Sequence, residues 1–396
     1  MTAEAVRQNP GLRHAVRAST GRRWRWLFCS VLLSIPACSP AIAQTGHASG
    51  DEGGYAGQPL QLALPTENDA LYRGEGPDFY QYTDRRIKPG FALPWEGGKY
   101  GFVRNARETR HGVIYTRFHE GMDIKPVRRS SRREPLDDVH TMDDGIVKYV
   151  NHVARRSNYG LYVVVEHWWS GSPFYSLYAH LKSVDVTVGQ EVERGQRVGR
   201  MGYTGAGINR RRAHVHVEIN LLINERAFQS WYDDYFDEDN YHGIYNGLNL
   251  SGLDVADLYL SLREDSSLTI RGFLNRESAF YSVTVPNEGR LNVLWRYPWL
   301  ISGEDALSYA GVNGATSNAS WVIYIARSGR PVRVERSDRI VEGPEIAVVQ
   351  ETAVPYAYLT NGLLTGSGNS YGLSRIGRRH LDLLTRITPV RSKDKG

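Results

Sequence analysis

Four short runs between residues 145 and 219 share one texture: aliphatic and aromatic residues dominate, and glycines separate the runs. They are G-I-V-K-Y-V (145–150), L-Y-V-V-V-E-H (161–167), Y-S-L-Y-A-H-L (175–181) and A-H-V-H-V-E-I (213–219). Runs of this length bounded by turn residues predict β-strands. The block 99–222 therefore reads as an all-β domain built from antiparallel sheets. In A-H-V-H-V-E-I the polar and apolar positions alternate. A period of two places His214 and His216 on one face, with Val215 and Val217 on the opposite face toward a core.

On either side the pattern changes. T-G-H-A-S-G-D-E-G-G-Y-A-G-Q-P (45–59) is a glycine-rich linker, and 58–98 is irregular, with turn signals at Lys88-Pro89-Gly90 and Glu96-Gly97-Gly98. Residues 44–98 thus read as a linker and an N-terminal segment packing near the β domain. Beyond 222, W-Y-D-D-Y-F-D-E-D-N-Y (231–241) reads as an acidic, aromatic connector, solvated, with an Asp spacing that fits no EF-hand loop. Leu253, Ala256, Leu260 and Leu262 fall near helical spacing, which predicts a helix over 252–264, with a second short one over 268–276. Strands are predicted at 279–286, 291–296, 320–326 and 331–335. The region 223–396 is accordingly a mixed α/β accessory domain.

Charge alters this picture only at the N-terminus. Residues 1–43 carry six arginines and one acid, and removing them leaves 42 basic and 42 acidic residues. The remainder is neutral, so nucleic acid is not an expected partner. The leader has a basic stretch ending in R-R-W-R, an apolar run L-F-C-S-V-L-L-S-I-P-A, and A-I-A before Gln44. That is the anatomy of an export signal, and the run is too short and too broken to span a bilayer comfortably. The expected location is the periplasm, the cell envelope or the medium, with membrane contact only through a retained or lipidated leader. Both cysteines, Cys29 and Cys38, lie inside it. A chain without the leader has no thiolate to offer, so any metal must be held by histidine and carboxylate.

F-H-E-G-M-D-I (118–124) invites a helical reading, since His119-Glu120-x-x-Asp123 is one letter from the H-E-x-x-H zinc motif with its glutamate base. Gly121 follows Glu120 directly, and Ile124-Lys125-Pro126 continues a helix poorly, so an extended turn entering a strand is expected. Glu120 then has no need to face the metal. Each polar element alone has a bland explanation: Asp123 as a turn cap, His180 as a hydrogen-bonded core residue. Two imidazoles on one strand face are costly to bury without partners. A hydrolytic zinc site needs three protein ligands and an open position, and two His with one Asp would leave about one net positive charge on the metal–ligand set.

Taken in order, H-E-G-M-D-I, Y-S-L-Y-A-H-L, V-x-x-G-Q-x-V-x-x-G-Q-x-V-G-R-M-G-Y-T-G and H-V-H-V-E-I resemble the LytM/lysostaphin-type zinc endopeptidases, which cleave peptide cross-links of bacterial peptidoglycan. D-D-G-I-V-K-Y-V resembles that family's first hairpin and N-Y-G-L-Y-V-V-V-E-H its central strand. The resemblance covers roughly 99–222 and implies the family's duplicated hybrid β motif. It further implies one Zn²⁺ per chain held by His119, Asp123 and His216, with His180 and His214 as the catalytic pair. Strand parity alone leaves open which of His214 and His216 binds metal; the resemblance assigns it. Tyr115 is nearest to the tyrosine that assists the oxyanion in the family, His167 matches a structural histidine, and Asn105 is a candidate blocking ligand. His111, His140 and His152 match no chemical position. The insertion R-R-S-S-R-R-E-P-L-D-D (128–138) departs from the family pattern and is expected to widen or re-charge one groove wall. The alternative is an inactive relative that regulates another enzyme or binds cell wall.

Overall fold

The protein is described here by a computed structural model covering residues 57–82, 93–302 and 319–387; the leader with its cysteines and most of the glycine-rich linker lie outside the described residues. The glycine-separated runs all become strands. In chain order these are β1 (Gly101–Thr109), β2 (Gly112–His119), β3 (Met122–Ile124), β4 (Asp138–His140), β5 (Gly145–Asn151), β6 (Leu161–Trp169), β7 (Ser172–Val184), β8 (Glu191–Val192), β9 (Arg197–Met201), β10 (Val215–Leu222) and β11 (Leu250–Gly252). β1 and β2 form a separate hairpin. The other nine make one sheet in the order β11-β10-β7-β6-β5-β8, with β3 on β10, β9 on β7 and β4 on β9. All of these pairings are antiparallel. The mainly β architecture expected from the sequence is therefore observed.

The V-V-V run of β6 has a simple cause: both faces of the sheet are covered. Val163, Val165, Tyr178, Val215, Val217 and Ile219 face the main core, while Tyr162, Val164, Tyr175, Leu177 and Ala179 form a second, smaller cluster on the opposite face. A strand buried on both sides loses its polar alternation. β10 keeps its alternation although all eight of its residues are buried, because His216, Glu218 and Asn220 on its other face hydrogen-bond to one another.

The main core does not stop at residue 222; it runs from Leu60 to Leu384. β11 extends the central sheet, and the backbone N–H of Leu222 donates to the buried Tyr297 hydroxyl at 2.8 Å. Asn224 donates to the carbonyls of Leu383 and Arg386, both at 2.9 Å. A second, four-stranded antiparallel sheet follows in the order β14-β13-β12-β15, from β12 (Tyr281–Pro286), β13 (Ser320–Ile325), β14 (Pro331–Ser337) and β15 (Glu345–Val348). Upstream, residues 57–82 run along the central sheet as a strap. Leu60 N–H reaches Leu268 O at 3.0 Å, Ala63 N–H reaches Met142 O at 2.8 Å, and Gln81 N–H reaches Asp123 O at 2.8 Å.

Two local expectations are corrected. The segment 291–296 is not a strand; Val293–Arg296 is a helical turn, because Val293, Leu294, Tyr297 and Leu300 all bury, which is helical rather than alternate spacing. The acidic connector begins inside a helix, Phe228–Tyr235, whose Phe228, Trp231 and Tyr232 pack inward while the acids face out. The helices expected over 252–264 and 268–276 are present as Val255–Glu264 and Ile270–Leu274. Among the described residues no helix is long and apolar enough to cross a membrane.

Replacing Tyr297 with Phe leaves the buried Leu222 N–H without its acceptor at the end of β10. Chemical denaturation should show a loss of about 1–3 kcal/mol; an unchanged midpoint would mean that this contact does not tie the two regions together.

Candidate metal centre

β2 ends at His119 and β3 begins at Met122, so F-H-E-G-M-D-I is strand–turn–strand and not a helix. β3 then pairs with β10 so that Asp123 lies directly opposite His216. Gly121 makes this register possible: a Cβ there would lie 2.3 Å from Val217 O and 3.0 Å from His216 Cε1. The turn therefore brings His119 onto the same spot as the Asp123–His216 pair. His119 Nε2 is 3.0 Å from His216 Nδ1 and 3.2 Å from Asp123 Oδ1, and His216 Nδ1 is 2.8 Å from that same oxygen.

Three donor atoms converging in this way form a group that could hold a metal ion. The fit rests on what the remaining atoms do. His119 Nδ1 contacts Lys99 O at 2.7 Å, and His216 Nε2 contacts Glu218 Oε1 at 2.7 Å. Arg104 Nη2 takes the other Asp123 oxygen, Oδ2, at 2.6 Å, leaving Oδ1 to face the imidazoles. Each donor is thus oriented from behind, the arrangement that fixes imidazole tautomers in metal sites. All three groups are at most 5% exposed.

The electrostatics agree with a site built for positive charge. Burial pushes the His119 imidazole down to about 4, so it presents a lone pair at neutral pH. Burial would raise Asp123, but His119, His214 and Arg104 hold its carboxyl well below the usual range. His216 goes the other way. Against burial, its hydrogen bonds to Asp123 and Glu218 push it up to about 10, so in the metal-free protein a proton supplies the charge between two carboxylates. A metal must displace that proton to bind.

His180 and His214 stand beside this group, with ring centroids 4.7 Å apart. His180 is the residue at which β7 changes partners: Ala179 pairs with His216, whereas Leu181 pairs with Met201 of β9. The backbone there is left-handed, with φ 61°, an uncommon conformation for a residue with a side chain. Backbone strain of this kind concentrates at functional sites. His180 Nδ1 contacts Thr204 O at 2.9 Å and His214 Nδ1 contacts Arg212 O at 2.7 Å. A ring nitrogen facing a carbonyl carries the hydrogen, so each Nε2 is the basic atom. Burial lowers both imidazoles, His180 strongly.

The other residues singled out by sequence fall elsewhere. Glu120 is exposed on the wall of a groove of 1220 Å³ that runs past the cluster. Tyr115 sits on the β1–β2 hairpin opposite Ala106 and is not among the residues lining that groove, whereas Asn105 is. His167 is buried with both nitrogens engaged, by Asp144 O and Ser176 Oγ, each at 2.7 Å. The 128–138 insertion does not line the groove; it folds back on itself, with Arg129 bonded to the Arg133 and Arg210 carbonyls and Arg210 paired with Glu134.

Three participants escaped the sequence reading. Glu218 lies two residues beyond His216 on the same strand face, so strand parity could have found it. Arg104 and Tyr159 left no such signal. Tyr159 donates its hydroxyl to Glu218 Oε1 at 2.7 Å, and its carbonyl accepts the His180 N–H at 2.8 Å.

Residues 117–229 match the profile of peptidase family M23, and the resemblance to the LytM/M23 peptidases read from the motifs stands on that match. Peptidoglycan DD-endopeptidase ShyA of Vibrio cholerae serotype O1 is 38% identical over 81 residues, 20% of this chain. That stretch spans 17% of the relative's own length. Among solved structures, a zinc-containing peptidase from Vibrio cholerae is 24% identical, covering 36% of each chain with a TM-score of 0.21. The catalytic domain of the prophage-encoded M23 protein EnpA from Enterococcus faecalis is 20% identical, covering 36% of this chain and 82% of that one with a TM-score of 0.23.

Removing the carboxylate behind His216, as in Glu218→Ala, should weaken divalent-metal affinity about 10–100-fold without unfolding the chain. Competition with a metal indicator reads this directly, and unchanged affinity would make Glu218 a packing residue only.

Proposed function

We propose that the protein is a zinc-dependent endopeptidase that hydrolyses peptide cross-links of bacterial peptidoglycan and is exported to the cell envelope by its leader. One observation carries the reading: three buried donor atoms converge, and two further histidines turn their basic Nε2 atoms beside them. In this reading His119 Nε2, Asp123 Oδ1 and His216 Nδ1 hold a single Zn²⁺. When bound, such an ion acidifies water and polarises a peptide carbonyl.

The chain's own residues supply the rest. Arg104 restrains Asp123 to one ligating oxygen, and Glu218 and Lys99 O fix the two imidazoles. His180 and His214 are kept neutral by burial, so at pH 7 each can take a proton at Nε2 from the attacking water. Once charged, the same nitrogen donates to the tetrahedral oxyanion and then delivers the proton to the leaving amine. Thr204 O and Arg212 O hold the two rings in the tautomer this requires. Glu120 has no part in the proton path. Peptidoglycan as substrate is supported by the ordered motifs, by the M23 match over 117–229 and by the similarity to ShyA.

The purified protein should contain zinc near one ion per chain and release cross-linked peptides from peptidoglycan. His119→Ala should lose both metal and cleavage. His214→Ala should keep its zinc yet lose at least about 100-fold in rate. Glu120→Gln should retain most activity. Robust cleavage by both histidine variants would sink the assignment, whereas a folded chain that holds no zinc would indicate an inactive relative.

A further inference from the structure

Beyond the metal cluster, the groove is rimmed by charges that are held but not spent on one another. The short turn 154–158 carries Arg155 and Arg156, both exposed and lining the groove, and neither makes an ion pair among the described residues. The loop 236–242 faces it with Glu238 and Asp239, likewise exposed and unpaired there. His242 ties the two pieces together, contacting Arg156 O at 2.9 Å through Nε2 and the Tyr149 hydroxyl at 2.9 Å through Nδ1. The Arg156 guanidinium lies over the Tyr241 ring, 4.3 Å from its centroid, and the Tyr241 hydroxyl contacts Asp239 Oδ2 at 3.2 Å. A cation and an anion therefore flank a single phenol ring.

Where opposite charges meet directly elsewhere on the surface, as Arg128 and Glu67 do at 2.8 Å, each neutralises the other. Here the Arg156 guanidinium rests on the ring and Asp239 accepts from its hydroxyl, so neither charge is neutralised by the other and both remain available to a ligand. Their place relative to the chemistry is fixed as well. Tyr159 follows Arg156 by three residues, so their Cα atoms are at most about 11 Å apart. Tyr159 is bonded to both Glu218 and His180. An extended peptide with its scissile bond at the metal cluster would bring a residue a few positions away to this rim.

We propose that the Arg156–Tyr241–Asp239 rim binds a zwitterionic α-amino-acid head group: the carboxylate on Arg156, with Arg155 adjacent, and the ammonium on Asp239, with Glu238 adjacent. The inference rests on the peptidase reading of the same groove and deepens it. It selects stem peptides containing a diamino diacid whose second centre is unlinked, with free amine and free carboxylate, over peptides in which that centre is amidated, acylated or absent.

The test uses the full protein and three synthetic cross-linked peptides of one sequence, with that centre free, amidated at its carboxylate, or acetylated at its amine. Steady-state kinetics should give a KM about tenfold higher for either masked peptide, with the change in kcat much smaller, as loss of one charge-assisted contact requires. Arg156→Ala and Asp239→Asn should raise KM on the free peptide similarly and have little effect on the peptide masked at the matching group. Bound zinc, measured in parallel, should stay at the unmodified protein's level. Equal KM for all three peptides, or equal losses on free and masked peptides, would overturn the proposal. If no peptide is cut, the peptidase reading fails and calorimetric titration decides the rim: about tenfold tighter binding of the free peptide sustains it, and equal affinities overturn it.

Discussion

The centre of this molecule is a cross-strand pair, Asp123 against His216, joined at 2.8 Å between β3 and β10. Burying a carboxylate beside imidazoles is unfavourable unless every polar atom finds a partner. That requirement organises the surroundings. It recruits Arg104 from a separate hairpin, Glu218 from the same strand, and the Lys99 carbonyl from before β1. It also demands a residue without a side chain at Gly121, or the strands could not close. The apolar half of β10 anchors the arrangement from the other side, since Val215, Val217, Ile219 and Leu221 are fully buried.

Much of this is legible in the amino-acid sequence. The period-two alternation of 213–219 marks a strand with one functional face, and the absence of cysteine outside the leader restricts metal ligands to His, Asp and Glu. The glycine and the proline around 121–126 argue against a helix, and the segment is indeed strand–turn–strand. The illegible parts share a cause: they depend on partners distant in sequence. Arg104 looks like any charged hairpin residue until β1 is seen beside Asp123. Tyr159 matters through two bonds, to residues 218 and 180, that no local pattern announces. The helical turn at 293–296 hides because L-N-V-L-W-R alternates well enough to pass for a strand, and only the burial of adjacent Val293 and Leu294 reveals it. The basic run 128–133 looks like a groove wall by charge, yet Arg129 turns to backbone carbonyls and Arg128 to Glu67.

The flanking regions do more than surround the β domain. The strap at 57–82 bonds both to the backbone of Asp123 and, at its other end, to Leu268 in the C-terminal half. Tyr297 and Asn224 stitch β10 to the same half. The strap therefore holds β3, which pairs with β10, while segments of the C-terminal half hold the far end of β10. The left-handed backbone of His180 is held in place by β7's own pairings, with β10 on one side of the residue and β9 on the other.

Tyr159 has a wider consequence. Its hydroxyl serves the carboxylate behind His216, its carbonyl positions His180, and its own turn carries the outward-facing arginines. Rim and histidine cluster thus share one inextensible linkage, so the turn cannot be lengthened, shortened or exchanged for a loop from a relative while the cluster's geometry stays untouched. Lineages diverging in what they accept at the rim would have to alter side chains at fixed backbone positions. Anyone re-engineering the groove inherits the same rule: substitute within the turn, and leave its length alone.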